Sequence, residues 1–409
     1  MRIVKQSQRA RPRVSLILLD WSVRESFHLL HYLGRQDVER DQFEVIVIEY
    51  HSRISDAIRP FEEQVDSWLL LEMPEECYYH KHLMYNAGIV AAKGEICVIC
   101  DSDAMVKPGF IGSIVVAFEN RSGIVLHIDQ FRNSRKDFYP FSYPNFSEVI
   151  GRGCVNNVGG KTRGIVDDKD PIHNRNYGAC MCARREDLLR IGGADEHIDF
   201  LGHICGPYDM TFRLVNMGHR EIWHQTEFMY HTWHPGQAGE DNYLGPHDGR
   251  HVSTTALDAL LSGRIMPLEE NESIRHHRSA ELAKPGIGEF MIDRAHFIAW
   301  QRSQLRKDQK WVPGSSSRKI WFGFVVDQTT TGLVAHPRFL EHPEFSTMQC
   351  KLQVHARTEA DLNGQLNKLI PLRLRMIFPL VTFSTYLSKA IGLVAVYLQR
   401  RLSRLANQG

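Results

Sequence analysis

The chain has 409 residues, 43% of them hydrophobic and 24% charged, the proportions of a soluble globular protein long enough for a large core with additions. Its 49 Lys and Arg nearly cancel 48 Asp and Glu, so no overall field gathers nucleic acid, and none is expected as a partner. Eight cysteines are spread too thinly for a disulfide framework and suit free thiols in a reducing cytosol.

In chain order, "MRIVKQSQRARPR" is basic, and the apolar run after it, "VSLILLDW", is short and carries an acid. It is no signal region and reads as a first strand, so a cytoplasmic location is expected, with 1–12 set aside as a basic tail. "FEVIVIEY" (43–50) and "SWLLLEM" (67–73) read as further strands, and Phe27, Leu30 and Leu33 mark an apolar helical stripe. The segment from Tyr85 to Ala92 reads as a helix ended by Gly94, before the strand "EICVIC". Cys97 and Cys100 sit inside that strand as C-x-x-C. Residues three apart on a strand point to opposite faces, so they cannot share a metal. Strand, helix, strand, strand, helix, strand predicts an α/β sandwich on a largely parallel sheet. Ligands bind such sheets beyond the carboxyl ends of the strands.

Asp101-Ser102-Asp103 stands at such an end. Two carboxylates so close repel, and they lose hydration if buried, so something positive should offset them. Either the pair is a solvated turn before a helix that starts near Pro108, or it holds a divalent metal. Its place beyond a strand end favours the metal.

Residues 127–176 have no clear period and are rich in Pro, Gly, Asn and aromatics, the composition of a binding loop or lid. "YGACMCARREDLLRIGGADE" (177–196) reads as strand, helix and glycine turn. Beyond about residue 250 the pattern is helical and mixed, with "WVPGSSSRK" (311–319) as a linker. No acid follows Asp361, and Met376 to Leu398 is mostly apolar with Lys389 its only charge. Three outcomes are open there: a basic helix lying on an anionic membrane surface, a spanning helix, or one packed on the protein.

The motifs in this order resemble the family 2 glycosyltransferases, whose catalytic domain has the GT-A fold. "VSLILLDWS" is similar to their first strand, and "FEVIVIEYHS" to the strand that usually ends in two Asp. "HKHLMYNAGIVAAKGEICVICDSDAMVKPGF" is similar to their helix, strand and D-x-D segment. "LLRIGGADEHID" resembles the acceptor-side glycine turn, "PYDMTFRLVNMGHRE" the helix carrying the general base, and "MYHTWHPG" the segment that often supplies a metal-binding His. The likeness covers roughly residues 13 to 240. The expected architecture is a GT-A, Rossmann-like α/β domain over 13–250. A mostly α extension of unassigned role follows over 251–375, then the basic apolar helix over 376–409.

The resemblance implies a metal-dependent, inverting transfer from a nucleotide-sugar, first among them a UDP-sugar, to a glycan or lipid-linked acceptor in surface polysaccharide synthesis. A hexosyl or N-acetylhexosaminyl group would be moved. It implies Asp103 as a metal ligand, Asp101 at the ribose or the metal shell, and His234 or His231 as the later ligand, with His234 preferred. The cofactor would be Mg2+ or Mn2+, and an added His nitrogen shifts the preference towards Mn2+. Asp20 and Glu49 fall where the family contacts base and ribose, and Asn86 falls near the donor. One departure concerns catalysis. Where inverting members commonly show Gly-Glu-Asp-x-Asp, this chain has Gly206-Pro207-Tyr208-Asp209, without the Glu-Asp pair. Asp209 and Glu196 are the remaining candidates for the base. Two other readings stay open: an inactive relative that binds nucleotide-sugar or glycan, and a nucleotidyltransferase. Against the latter, "LLDWSVRES" offers no phosphate loop after the first strand.

Overall fold

A computed structural model describes residues 1–279, apart from 21–25, 76, 120, 168–174, 203–206 and 236–251, together with shorter stretches between 290 and 365. The strands are β1 (Arg2–Lys5), β2 (Val14–Asp20), β3 (Phe43–Glu49), β4 (Ser67–Leu70), β5 (Ile96–Cys100), β6 (Ile124–His127), β7 (Gln130–Arg132), β8 (Asn157–Val158), β9 (Lys161–Thr162), β10 (Cys180–Arg184), β11 (Arg220–Trp223) and β12 (Met229–His231). The helices are α1 (His28–Leu33), α2 (Lys81–Ala91), α3 (Phe110–Phe118), α4 (Phe146–Ile150), α5 (Arg163–Val166), α6 (Arg185–Arg190), α7 (Tyr208–Asn216), α8 (Thr254–Ser262) and α9 (Glu272–Ser279).

An eight-stranded sheet runs in the order β1-β4-β3-β2-β5-β10-β6-β11. Its centre is parallel: β4, β3, β2 and β5 point the same way. β10 runs against both β5 and β6, and β11 is parallel to β6. β2 and β3 are buried along their whole length, which is why, apart from Ser15 and Glu44, paired with each other at 2.6 Å, their interiors read as apolar runs instead of alternating ones. The two-residue period sorts their side chains into separate layers. Ile17, Ile46 and Ile99 join Leu83 and Met84 of α2 on one face. Leu16, Val45 and Val98 join Leu30 of α1 and Phe110 of α3 on the other. This is the α/β sandwich that the sequence predicts.

α2 is buried from Lys81 to Ala91. It lies so close to β2 that a Cβ on Gly88 would stand 2.4 Å from Ile17 Cγ2. Cys97 belongs to the first layer and Cys100 to the second, so the C-x-x-C pair faces both ways as expected. All the described cysteines are free.

The described part of 127–176 carries more regular structure than its composition suggests. It holds β7, α4, the β8–β9 hairpin and α5, each too short to leave a period in the sequence. α8 and α9 pack on the sheet unit, with Ala256 beside Phe212 and Ile274 in the first layer.

The chain divides into two compact units, 1–316 and 317–409. In the second, Lys319–Trp321, Phe324–Thr329, Gly332–Pro337 and Val354–Ala356 form a four-stranded antiparallel sheet. The extension read as mostly α therefore carries a sheet as well as helices. Strands of three to six residues look mixed when only a helical period is sought. The expected basic apolar helix at 376–409 and most of the linker at 311–319 lie outside the described residues. No helix among the described residues is long and apolar enough to cross a membrane.

Candidate metal centre

β5 delivers Asp101-Ser102-Asp103 to the carboxyl edge of the parallel strands, where the Asp101 N–H donates to Ala179 O at 3.0 Å. Two further backbone bonds draw β12 alongside. Met105 N donates to Tyr230 O at 2.8 Å, and Tyr230 N returns to Met105 O at 3.0 Å. His231, the next residue, thereby meets Asp103. Its Nε2 lies 3.4 Å from Asp103 Oδ1, and His234 Nε2 lies 3.1 Å from Oδ2. One atom from each of these three residues falls within 4.8 Å of the others. Asp103 and His231 are 5% and 4% exposed, while His234 is half-buried. Asp101 is half-exposed and stands outside this trio. A carboxylate oxygen with two imidazole nitrogens is a donor set for a divalent ion of intermediate hardness, and it suits Mn2+ better than Mg2+.

Asp20 and Glu49 end β2 and β3 and stand opposite one another in the ladder. Both are buried, at 0% and 1% exposure. Ser55 N–H donates to both Glu49 oxygens at 3.1 Å, and Trp68 Nε1 donates to Oε1 at 2.6 Å. Burial pushes the Glu49 carboxyl up to about 7; the Ser55 N–H opposes this and the charge of Asp20 adds to it. Nothing in the spacing of Ser55 and Trp68 along the sequence links them to Glu49.

Asn86 and Glu196 are brought together at the glycine turn. Asn86 Nδ2 donates to Glu196 Oε1 at 2.8 Å and to Ala194 O at 2.9 Å, and its Oδ1 accepts from Ala194 N at 2.7 Å. Gly193 holds φ +70°, and a Cβ there would sit 2.4 Å from Asn86 Oδ1, so the turn needs glycine on two counts. α2 also grips this turn through histidines. His80 Nε2 bridges Glu196 O at 2.9 Å and His197 O at 3.2 Å, and His82 Nδ1 lies 2.7 Å from Asp195 O. Burial pushes His80 down to about 3, so it is neutral and serves as a donor. Burial likewise pushes Glu196 up to about 7, against the pull of hydrogen bonds from Asn86 and Asn271.

Asp209 lies in the first turn of α7 with no exposed surface. Its Oδ2 accepts from Arg213 Nε at 2.8 Å and Nη2 at 2.5 Å, and Arg264 stands 3.6 Å from Oδ1. Arg213 continues to Ile191 O at 2.5 Å and Gly193 O at 2.6 Å, and thereby anchors α7 to the glycine turn. The four-residue spacing of Asp209 and Arg213 places both on one helix face and could have disclosed the pair. Of the acids in 167–170, Asp167 follows α5, and Asp168 and Asp170 lie outside the described residues.

No family model matches the chain, and no curated relative does. Among solved structures the chain is similar to S. aureus TarS 1–349 in complex with UDP-GlcNAc, at 16% identity over 73% of this chain and 78% of that one, with a TM-score of 0.42. It is also similar to the mannosyltransferase PcManGT from Pyrobaculum calidifontis in complex with GDP-Man and Mn2+, at 17% identity over 76% and 85%, with a TM-score of 0.36. A third is glucosyl-3-phosphoglycerate synthase from Mycobacterium tuberculosis with Mn2+, UDP and phosphoglyceric acid, at 14% identity over 63% and 80%, with a TM-score of 0.36. The α/β class of this chain follows from its own strand order.

Proposed function

We propose that the chain is a metal-dependent glycosyltransferase of the GT-A, family 2 type, moving a hexosyl or N-acetylhexosaminyl group from a nucleotide-sugar. The observation that carries this reading is the Asp103–His231–His234 trio at the carboxyl end of the parallel strands. Those three residues would hold the divalent ion, with Asp101 beside it toward the ribose. When bound, such an ion supplies positive charge against a departing diphosphate. Asp20 and Glu49, at the neighbouring strand ends, would accept hydrogen bonds from base and ribose.

For the proton of the acceptor hydroxyl, Glu196 is favoured over Asp209. A base must hold a free oxygen within hydrogen-bond reach of that hydroxyl and titrate near the working pH. Glu196 keeps some exposure and is pushed up to about 7, whereas both Asp209 oxygens face arginines in the interior. Asn86 would fix the Glu196 carboxylate through Oε1. The acceptor would be a glycan or glycolipid of surface polysaccharide synthesis, the outcome inverting, and the location the inner membrane face, reached through 376–409.

Melting the full chain with a panel of UDP- and GDP-sugars, with and without Mn2+, tests this. A donor that binds the folded state raises the melting temperature by mass action. Stabilisation that needs Mn2+ and vanishes in Asp103→Asn is expected; stabilisation by no donor would defeat the proposal. A second reading, a non-catalytic binder of the same donor, is favoured by the missing Glu-Asp pair and the occupied Asp209. Mn2+-dependent hydrolysis of a bound donor separates the two.

A further inference from the structure

Residues 130–166 form a wall beside the metal trio. β7 pairs in parallel with β12, which sets Arg132 opposite His231, and Asn133 N–H donates to His231 O at 2.9 Å. Residues opposite one another in a ladder share a face, so Arg132 emerges on the side of the His231 imidazole. Lys136 Nζ stands 5.0 Å from the ring centroid of Trp233, which in sequence lies between the two histidines. Asn133 Nδ2 ties in Val149 O at 2.8 Å and Arg152 O at 3.0 Å, and Arg163 N–H donates to Asn156 O at 2.8 Å. The backbone thus gathers Arg132, Lys136, Arg152 and Arg163 around one compact stretch.

The charge on this wall is one-sided. Between 130 and 166 there are six Lys or Arg and two acids, in a chain that is almost neutral overall. Both acids are engaged. Asp137 accepts from Arg135 Nε at 2.9 Å, and Glu148 accepts from Asn145 N–H at 2.7 Å in a capping box. Arg132, Lys136, Arg152, Lys161 and Arg163 are exposed, and among the described residues none is in an ion pair. Their counter-charges are few: Arg132 acts on the buried Asp129, which Thr162 Oγ1 and the Gln130 N–H already hold, and Arg152 acts on Asp137, which Arg135 already holds. Cations in such excess raise the local concentration of anions.

We propose that this wall binds a polyanionic acceptor, a carbohydrate chain bearing phosphate or carboxylate groups, and lays it across Trp233 beside the metal trio. The inference rests on the transferase reading for the word acceptor, while the anionic character of the ligand rests on the wall alone. A membrane is less well matched. The exposed apolar residues here are Val155, Val158, Val166 and Tyr143. The valines form no broad patch and Tyr143 packs on His31 and Phe141, whereas Arg132 and Lys136 stand by His231 and Trp233.

The test measures fluorescence anisotropy of labelled long-chain polyphosphate and labelled polygalacturonate with the full chain, against neutral dextran and flotation with phosphatidylglycerol vesicles. The wild type should bind at least one polyanion, in a salt-sensitive manner, and ignore dextran; which polyanion binds tells phosphate from carboxylate. In Arg132→Gln/Lys136→Gln/Arg152→Gln the affinity should fall at least about ten-fold with a shallower salt dependence, because each cation lost releases fewer counterions. Mn2+-dependent stabilisation by UDP-sugars should persist in that variant. The pair Lys161→Gln/Arg163→Gln, on the hairpin side, should weaken binding in the same direction and serves if the triple variant melts early. Unchanged affinity in both variants, no polyanion binding by the wild type, or loss of vesicle binding alone would overturn the proposal. Absence of any donor effect with polyanion binding intact would strike the transferase reading and leave the basic surface standing.

Discussion

His231 and His234 approach Asp103 from different oxygens, at 3.4 and 3.1 Å, so each imidazole occupies its own corner of the trio. Even residues that only orient a metal ligand are typically worth about 10–100-fold in affinity. Replacing either histidine by Ala should therefore weaken Mn2+ binding at least about ten-fold, with the larger loss for His234, whose approach is closer. Calorimetric titration of both variants decides this, and a histidine whose removal leaves the affinity intact is not a ligand. Glu196 makes a separate prediction, in pH. A carboxyl pushed up to about 7 is protonated and idle as a base below that value and becomes competent above it. Turnover should thus rise with pH through about 7 and level off, and Glu196→Gln should abolish both the rise and most of the rate, since general-base assistance is worth about 10²–10⁴-fold. A wild-type profile flat from pH 5.5 to 8.5 would remove Glu196 from that role.

At the level of elements, α7 shows what an acid at a helix start can do besides chemistry. Asp209 and Arg213 are both wholly buried, and Arg213 also holds Ile191 O and Gly193 O. Removing one partner of such a pair leaves a charge without compensation in the interior, typically a loss of about 3–5 kcal/mol. Asp209→Asn should therefore lower the unfolding free energy read from a urea titration by that measure, whatever it does to turnover; a variant as stable as the wild type would mean that the pair contributes little. The sequence made the strand-end acids legible because β2, β3 and β5 are long apolar runs that stop on Asp20, Glu49 and Asp101. It also made His231 and His234 legible, as histidines in a segment of recognisable composition. The meeting of Asn86 with Glu196, across 110 positions, left no local trace, and neither did the grip of His80 and His82 on the same turn. Contacts of that kind arise from the packing of α2 on the sheet, and no period records them. The short elements of 127–176 escaped for a related reason: a two-residue strand has no room to alternate.

At the scale of the whole chain, every candidate site residue lies in the unit of residues 1–316, and the four-stranded sheet beyond it is paired internally. A chain ending at residue 316 should fold and keep the Mn2+-dependent donor stabilisation of the full chain. If it expresses only as aggregate, or melts without a donor response, the second unit completes the first. A further consequence follows from how the sheet distributes its sulfur. Cys97, Cys100, Cys180 and Cys182 stand on the paired strands β5 and β10 with almost no exposed surface, and Cys154 in the basic wall is partly open. Burial raises the Cys97 thiol to about 12 and the Cys180 thiol well above its ordinary value, so in the native state neither offers a thiolate to an alkylating reagent. Among the described cysteines, Cys154 is thus the one within the reagent's reach while the fold is intact, and the strand thiols become reactive when β5 and β10 part. The chain carries its own stopwatch for opening, and mass-resolved alkylation can read it in plain buffer at any temperature.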